Sequence, residues 1–430
     1  MFPLLCERYD FMSVMKIVGN KKLKGSVIIS GAKNSVLPLL AAAVLCDGES
    51  VFYNCPDITD VEISIEILRH LGLDASYNSG TVRVEGRVPA NTEIPERMMR
   101  KMRSSVIFLG SLLGRRKKAT VSAPGGCELG PRPIDIHINA LKNLGANFSE
   151  EHGLLKFSAP EGLKGTRIDL KMPSVGATEN IILASVLAEG KTVINNAARE
   201  PEIEDLVCFL KKAGADISGE GSSTVIINGV KALHGVSHTV IPDRIEAATY
   251  MSAAAVTGGD VTVKHINPGH LGSITAVFEK MGCNIKLSED SLRIVAPKSL
   301  TAVPFIKTFA YPDFPTDAGP VVVAALLKAK GSSVFAEGVF KNRYRYIDEL
   351  NRMGAGIKTE GNVAVIEGGV PLFGAHCVCT DLRGGAALTV AALAAEGTTY
   401  LSNTGFIKRG YERFEEKLTV LGAEIYTEEE

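Results

Sequence analysis

Residues 174–229 read SVGATENIILASVLAEGKTVINNAAREPEIEDLVCFLKKAGADISGEGSSTVIING, and the order of patterns in this stretch recurs along the chain. The small-residue-rich apolar run 174–190 predicts a helix ending at Gly190, and the β-branched TVINNA after it predicts a strand. Ile203, Leu206, Val207, Leu210 and Ala213 fall at i, i+3, i+4, i+7 and i+10, which places them on one face of a second helix. That helix stops at Gly214, and ADISGEGSSTVIING then has the alternation and glycines of a hairpin. The unit is therefore of αβαββ type, with room for a further short strand at its start.

The glycine that stops the second helix recurs as Gly72, Gly145, Gly214, Gly282, Gly354 and Gly422, at separations of 73, 69, 68, 72 and 68 residues. Six such units fill the chain. One unit cannot bury both helices and a small sheet alone, so units must cluster, and six suggest two groups of three. The first helices are apolar nearly all round, as in TDAGPVVVAALLKA and DLRGGAALTVAALAA. Helices of that kind belong inside with sheets outside, and a ligand cleft is expected between two lobes. A simple solenoid is the alternative, although solenoid repeats usually run to about 20–45 residues.

The composition is that of a globular protein: 45% hydrophobic and 22% charged, with Lys+Arg 47 against Asp+Glu 48. A net charge of -1 does not point to nucleic acid or an anionic membrane surface as partner. The start, MFPLLCERYDFMSVM, lacks the basic and long apolar regions of a secretory signal, with Met12 or Met15 as alternative starts. No apolar stretch approaches the roughly 20 residues that span a bilayer, so a cytoplasmic location is expected. The eight cysteines show no zinc-like pairing and are expected to be reduced, with Cys377 and Cys379 as core and surface neighbours in a strand.

Two features ask for chemistry. The segment VSAPGGCELGPRPIDIHI at 121–138 sets three Gly and three Pro between a strand and a helix, so Cys127 is expected on a surface loop, where nearby Arg132 favours thiolate. A loop cysteine without a role is the bland reading. Charged residues also stand where the first helices should start: Lys33 with Asn34, Arg103, Asp243 with Arg244, Asp317, and Asp381 with Arg383. Asp can serve there merely as an N-cap, but Lys and Arg cannot; added to a helix N-terminus they make an anion site. Arg343 and Arg409 precede second helices and could be solvated charges. GRRKK at 114–118 reads as an exposed turn, and EGKT at 189–192 is not a P-loop, because a strand follows it and Ser185 replaces the required Gly.

The segments SGAKNSVLPLLAA, MRSS, PGGCELGPRPIDIH, SVGATENI, NAAREPEIEDL, PDRIEA, FPTD, KNRY, DLRGGAAL and RGYER, spread from about Met15 to the C-terminus, closely resemble the enolpyruvyl transferases that act on UDP-N-acetylglucosamine. That resemblance implies transfer of the carboxyvinyl group of phosphoenolpyruvate to the sugar 3'-hydroxyl, the first committed step of peptidoglycan synthesis, with no metal or organic cofactor. It implies a two-lobed, inside-out α/β barrel, each lobe three copies of the unit, with one lobe of residues 1–30 and 243–430, another of 31–242, and the active site between them. Lys33, Arg132 and Arg409 match the phosphate ligands, and Arg343 and Arg383 the carboxylate ligands. Asp317 matches the base for the hydroxyl. Cys127 matches the acid that protonates the methylene carbon and can form a 2-(S-cysteinyl)pyruvic acid adduct. Asn34, Arg103, Arg132, Pro133, Ile134, Asp135, Ile136, Ser174, Val175, Asp317 and Val339 match positions that bind the UDP-sugar. Lys341 and Lys408 stand where the family carries acidic residues, Phe406 where His is common, Ala318–Gly319–Pro320 in place of a glutamine-containing stretch, and Met172 where some members have Lys. The shikimate-pathway enolpyruvyl transferases share the fold but lack the Cys-bearing loop, and a catalytically idle paralogue is a further alternative.

Cys127→Asp keeps a titratable acid while lowering its ordinary pKa from about 8.5 to about 3.9. It is expected to retain activity with a more acidic optimum and to resist alkylation by the epoxide fosfomycin, whereas Cys127→Ala should be far less active. Mass spectrometry of fosfomycin-treated protein should find one adduct, on Cys127. Full activity of the Ala variant at neutral pH would overturn the assignment.

Overall fold

All six repeat glycines adopt left-handed backbone, with φ from 93° to 105°. Each follows the last turn of a second helix, where a Cβ would clash with its own backbone and only Gly reverses the chain without strain. Residues 13–122 and 134–429 are described in a computed structural model, without the side chains of Ser13, Arg103 and Glu429.

In the third unit the first helix is Val175–Ser185, shorter than the apolar run, and Gly190 turns the chain at φ 89°. The run's last residues leave the helix because Lys191–Asn195 must begin the central strand. This strand pairs parallel with Arg167–Asp169 and antiparallel with Thr224–Asn228, which pairs with Asp216–Ser218. The short leading strand that the sequence left open is thus real. Six open sheets repeat this order among the described residues, and none of them closes on itself.

Three of the sheets borrow a strand. Lys24–Ile28 precedes the helix Lys33–Ala42 in sequence, yet pairs with Asp260–Lys264. The strands Leu233–His234 and Ser237–Thr239 precede the helix Arg244–Val256, yet pair with Cys46–Tyr53. Ser13–Val18 completes the last sheet between Thr398–Ser402 and Glu424–Glu429.

The chain divides into two compact units: residues 30–243 with 310–313, and residues 1–29, 244–309 and 314–430. Each has its own apolar core. In the first, Phe108–Arg116 packs against Lys33–Ala42 and Val175–Ser185. In the second, Arg244–Val256, Gly319–Leu326 and Leu382–Leu393 each touch the other two, a closed cycle that a solenoid lacks. These helices are buried almost all round, and the strands alternate buried and exposed residues, so the helices lie inside and the sheets outside. No helix of the described residues is long and apolar enough to cross a membrane.

One local expectation changes. Cys377 and Cys379 are both buried, at 1% exposure, because residues two apart on a strand share a face. Cys208 is exposed on the outer side of its helix. Helix Phe108–Arg116 ends at left-handed Lys117, as expected of an exposed turn, and Arg115 pairs with Asp47.

Gly165, Gly235 and Gly374 occupy equivalent places, each lying against the backbone of its central strand. A Cβ on Gly374 would stand 2.2 Å from the Thr398 carbonyl oxygen. Gly374→Ala should therefore destabilise the fold by about 1–3 kcal/mol, as overpacking does. Urea unfolding checks this, and an unchanged midpoint would contradict it.

Candidate active site

Three of the expected residues converge within the unit of residues 244–309 and 314–430. Asp317 lies in the 3₁₀ turn Thr316–Ala318, at the start of helix Gly319–Leu326. Arg343 opens the turn Arg343–Tyr346, and Arg383 sits in the first turn of helix Leu382–Leu393. Asp381 caps that helix, its Oδ1 accepting from the amides of Arg383 and Gly384 at 3.0 Å. Arg343 Nη2 donates to Asp317 Oδ1 at 3.0 Å, and Arg383 Nη2 to Asp317 Oδ2 at 3.4 Å. Both arginine side chains are 3% exposed, against 26% for Asp317. Buried guanidinium groups need an anion, and here one carboxylate bridges two.

An aromatic ring lies beside each guanidinium group. Arg343 lies 5.4 Å from the Phe340 ring centroid and Arg383 5.3 Å from that of Tyr411, whose hydroxyl is 2.8 Å from Thr249 Oγ1. Arg409 follows the short helix Gly405–Lys408, half-buried and two residues before Tyr411. Val339 is 39% exposed, and its amide donates to Glu337 Oε1 at 2.7 Å. Of the atypical residues, Lys341 and Lys408 are exposed, Ala318 is buried, and Phe406 packs against the core.

The other unit carries the second group. Lys33 opens helix Lys33–Ala42, whose N-cap Ala32 has no side-chain acceptor; the Lys33 amide instead donates to Asp243 Oδ2 at 3.2 Å. Lys33 Nζ is 2.8 Å from Asp60 Oδ2, and that carboxylate is 1% exposed. Asp205 accepts from Ser35 Oγ, from the Ile241 amide and from His238 Nε2, tying the helix start to the segment before Asp243. Asn34 is half-buried beside Lys33.

Ser174 caps helix Val175–Ser185, accepting from the Ala177 amide at 3.4 Å, and both Ser174 and Val175 are half-buried. Asp135 is exposed at the start of helix Asp135–Asn143, while Ile134 and Ile136 pack on the core. Asn180 links this helix to another. Its Oδ1 accepts from the Gly110 amide at 2.7 Å, which makes Nδ2 the donor toward His137 Nδ1 at 2.9 Å and the Val106 carbonyl. His137 Nδ1 is therefore an acceptor.

Cys127, Arg132 and Pro133 lie outside the described residues, as does the Arg103 side chain. Among the described cysteines, burial pushes the thiols of Cys46, Cys55, Cys283 and Cys379 up to about 12, which disfavours thiolate at neutral pH. No cluster of metal-ligating side chains occurs among the described residues. Sequence reasoning missed Asp60, Asp205 and Glu337, whose sites give no local signal. Glu179 and Asn180 were findable, as polar residues inside an otherwise apolar helix.

The profile of the family described as EPSP synthase (3-phosphoshikimate 1-carboxyvinyltransferase) matches residues 17–418. UDP-N-acetylglucosamine 1-carboxyvinyltransferase 2 of Caldanaerobacter subterraneus subsp. tengcongensis is 48% identical over 414 residues, covering 96% of this chain and 99% of that protein. Its Bacillus subtilis namesake is 44% identical, covering 97% of each chain. Among solved structures, the enolpyruvyl transferase NikO from Streptomyces tendae superposes with a TM-score of 0.88 at 26% identity, covering 96% of this chain and 98% of its own. EPSP synthase from Acinetobacter baumannii gives 0.74 at 22% identity, covering 97% and 99%, a likeness of fold.

Glu179 is buried, and desolvation, with help from Glu202 and Glu200, raises its carboxyl from 4.5 to about 8. The folded form then binds the extra proton, so stability falls as pH rises from the unfolded value of 4.5 through about 8. Glu179→Gln should flatten that decline, by up to about 1.4 kcal/mol per pH unit, and be the more stable form at pH about 8.5. Melting temperatures across this range check it; parallel curves would show that Glu179 does not titrate.

Proposed function

The chain belongs to the EPSP synthase family of enolpyruvyl transferases, and we propose that it moves the carboxyvinyl group of phosphoenolpyruvate onto the 3'-hydroxyl of UDP-N-acetylglucosamine, releasing phosphate. The observation that carries this reading is the carboxylate held between Arg343 and Arg383. Two buried guanidinium groups already accommodate one carboxylate, and that of phosphoenolpyruvate has the same charge and forked geometry. The choice of acceptor rests on relatives 44–49% identical over nearly the whole chain that bear the UDP-N-acetylglucosamine name. Shikimate 3-phosphate is the competing acceptor.

On this reading Lys33, Arg132 and Arg409 hold the phosphate, and Arg343 and Arg383 the carboxylate. Cys127 delivers a proton to the methylene carbon, and the double bond gives way to an oxocarbenium-like centre. The 3'-hydroxyl oxygen bonds to that centre while Asp317 takes its proton. The tetrahedral intermediate then loses phosphate and a methyl proton, which restores the vinyl group. The substrate carboxylate, by taking the two guanidinium groups, leaves the oxygens of Asp317 available to the hydroxyl. Asn34, Arg103, residues 132–136, Ser174, Val175 and Val339 position the UDP-sugar. The reaction commits material to peptidoglycan, which is consistent with a cytoplasmic location.

Phosphate release from phosphoenolpyruvate, with UDP-N-acetylglucosamine or shikimate 3-phosphate as acceptor, tests the proposal directly. Release only with shikimate 3-phosphate, or with neither, would refute it. Asp317→Ala should lose about 10²–10⁴-fold in kcat, as removal of a general base does; a change confined to KM would sink that role. Arg383→Ala should weaken phosphoenolpyruvate binding by roughly 1.5–3 kcal/mol, the worth of a charge-assisted bond, and an unaltered affinity would refute the carboxylate contact.

A further inference from the structure

Glu337 follows strand Ala329–Ala336 and is 3% exposed. Its Oε1 accepts from Thr308 Oγ1 at 2.9 Å, the Val339 amide at 2.7 Å and the Phe340 amide at 3.1 Å. Its Oε2 accepts from Thr316 Oγ1 at 2.9 Å. These donors come from three segments: the end of strand Phe305–Lys307, the turn that carries Asp317, and the 339–340 loop that leads to Arg343.

The packing around this carboxylate leaves little freedom. Thr308 Oγ1 also accepts from the Gly338 amide at 2.9 Å, and a Cβ at Gly338 would stand 2.4 Å from the Thr308 carbonyl oxygen. Burying a carboxylate is costly unless its lone pairs are filled, and four donors fill these. Such a network holds its members in one register, because losing the acceptor strands two amides and two hydroxyls.

Each donor leads to a different part of the candidate site. Thr316 is the residue before Asp317, and its carbonyl oxygen also accepts from Arg343 Nη2 at 3.3 Å. The Phe340 ring lies 5.4 Å from the Arg343 guanidinium. Val339 is a position assigned to the acceptor sugar. Resting on the transfer reaction proposed above, we infer that Glu337 is a positioning residue, which sets Asp317 against Arg343 and fixes the Val339 backbone where the UDP-sugar binds. It acts through its neighbours and takes no part in bond making.

The arms of this network can be cut separately in the full-length enzyme. Thr316→Val removes the hydroxyl on the Asp317 side alone. It should lower kcat about tenfold or more, since misplacement near 1 Å can cost about a hundredfold, while the calorimetric Kd for UDP-N-acetylglucosamine stays within about twofold. Glu337→Ala should lower kcat and weaken UDP-N-acetylglucosamine binding together. Glu337→Gln, which keeps an acceptor for both amides, should restore that binding. Should Glu337→Ala fail to fold, Thr316→Val carries the test, because it costs one hydroxyl at nearly constant shape. A readout without substrate separates this inference from the reaction itself: the ¹³C carboxyl resonance of Asp317, assigned by its loss in Asp317→Asn, should move in Thr316→Val. An unmoved resonance overturns the inference whatever the reaction, as does unchanged kcat in a folded Glu337→Ala variant. Failure of the unmodified enzyme to release phosphate, with the resonance shifted as expected, would instead refute the reaction and leave the positioning of Asp317 supported.

Discussion

The first helix of every repeat must be buried nearly all round, and the remaining structure follows from that constraint. A helix surrounded by other helices and by a sheet has no face left for charge, so its length is given to Ala, Val, Leu and Gly. Charged residues then gather at its ends, with Glu179, inside helix Val175–Ser185, as an exception. The N-terminal end is the richer of the two, with unsatisfied amides and a positive dipole end. The six helix starts carry Lys33, Arg103, Ser174, Arg244, Asp317 and Arg383 at or just before their first turns. Three-fold repetition of one unit therefore multiplies polar and charged helix starts around an apolar core.

Charges at such ends sit at the edge of an apolar interior, and Lys33 and Arg383 are each matched by a nearby carboxylate. Asp60 faces Lys33, and Asp317 is shared by Arg343 and Arg383. Removing one partner of a buried pair leaves an uncompensated charge, which costs far more than the pair contributes. On the proposed reading, a carboxylate substrate at this arginine pair exchanges one anion for another. Glu337 shows a related economy, since one acceptor oxygen gathers two loop amides and a hydroxyl.

Much of this was legible in the chain. The repeat glycines mark the six units because a left-handed residue after a helix is a local demand that only Gly meets without strain. The buried helices announced themselves by their lack of a polar face, and Asp317 and Arg383 stood out by their places at helix starts, whereas Arg343, before a second helix, read as a solvated charge. Helix ends were less legible: the run 181–188 stays small and apolar past the helix end, and nothing in it marks Ser185 as the last helical residue.

What the sequence by itself determined is the order of elements within each unit, the inward face of its helices and the charged residues at their starts. All of these depend on neighbours a few residues apart. Tertiary structure alone decided that Lys24–Ile28 joins Asp260–Lys264 while Ser237–Thr239 joins Cys46–Tyr53. A short leading strand carries the same alternation whichever sheet it enters, so its partner is set by where the chain passes. The same holds for Asp60, Asp205 and Glu337. A carboxylate becomes a buried partner through donors that arrive from distant segments, and no local pattern records that convergence.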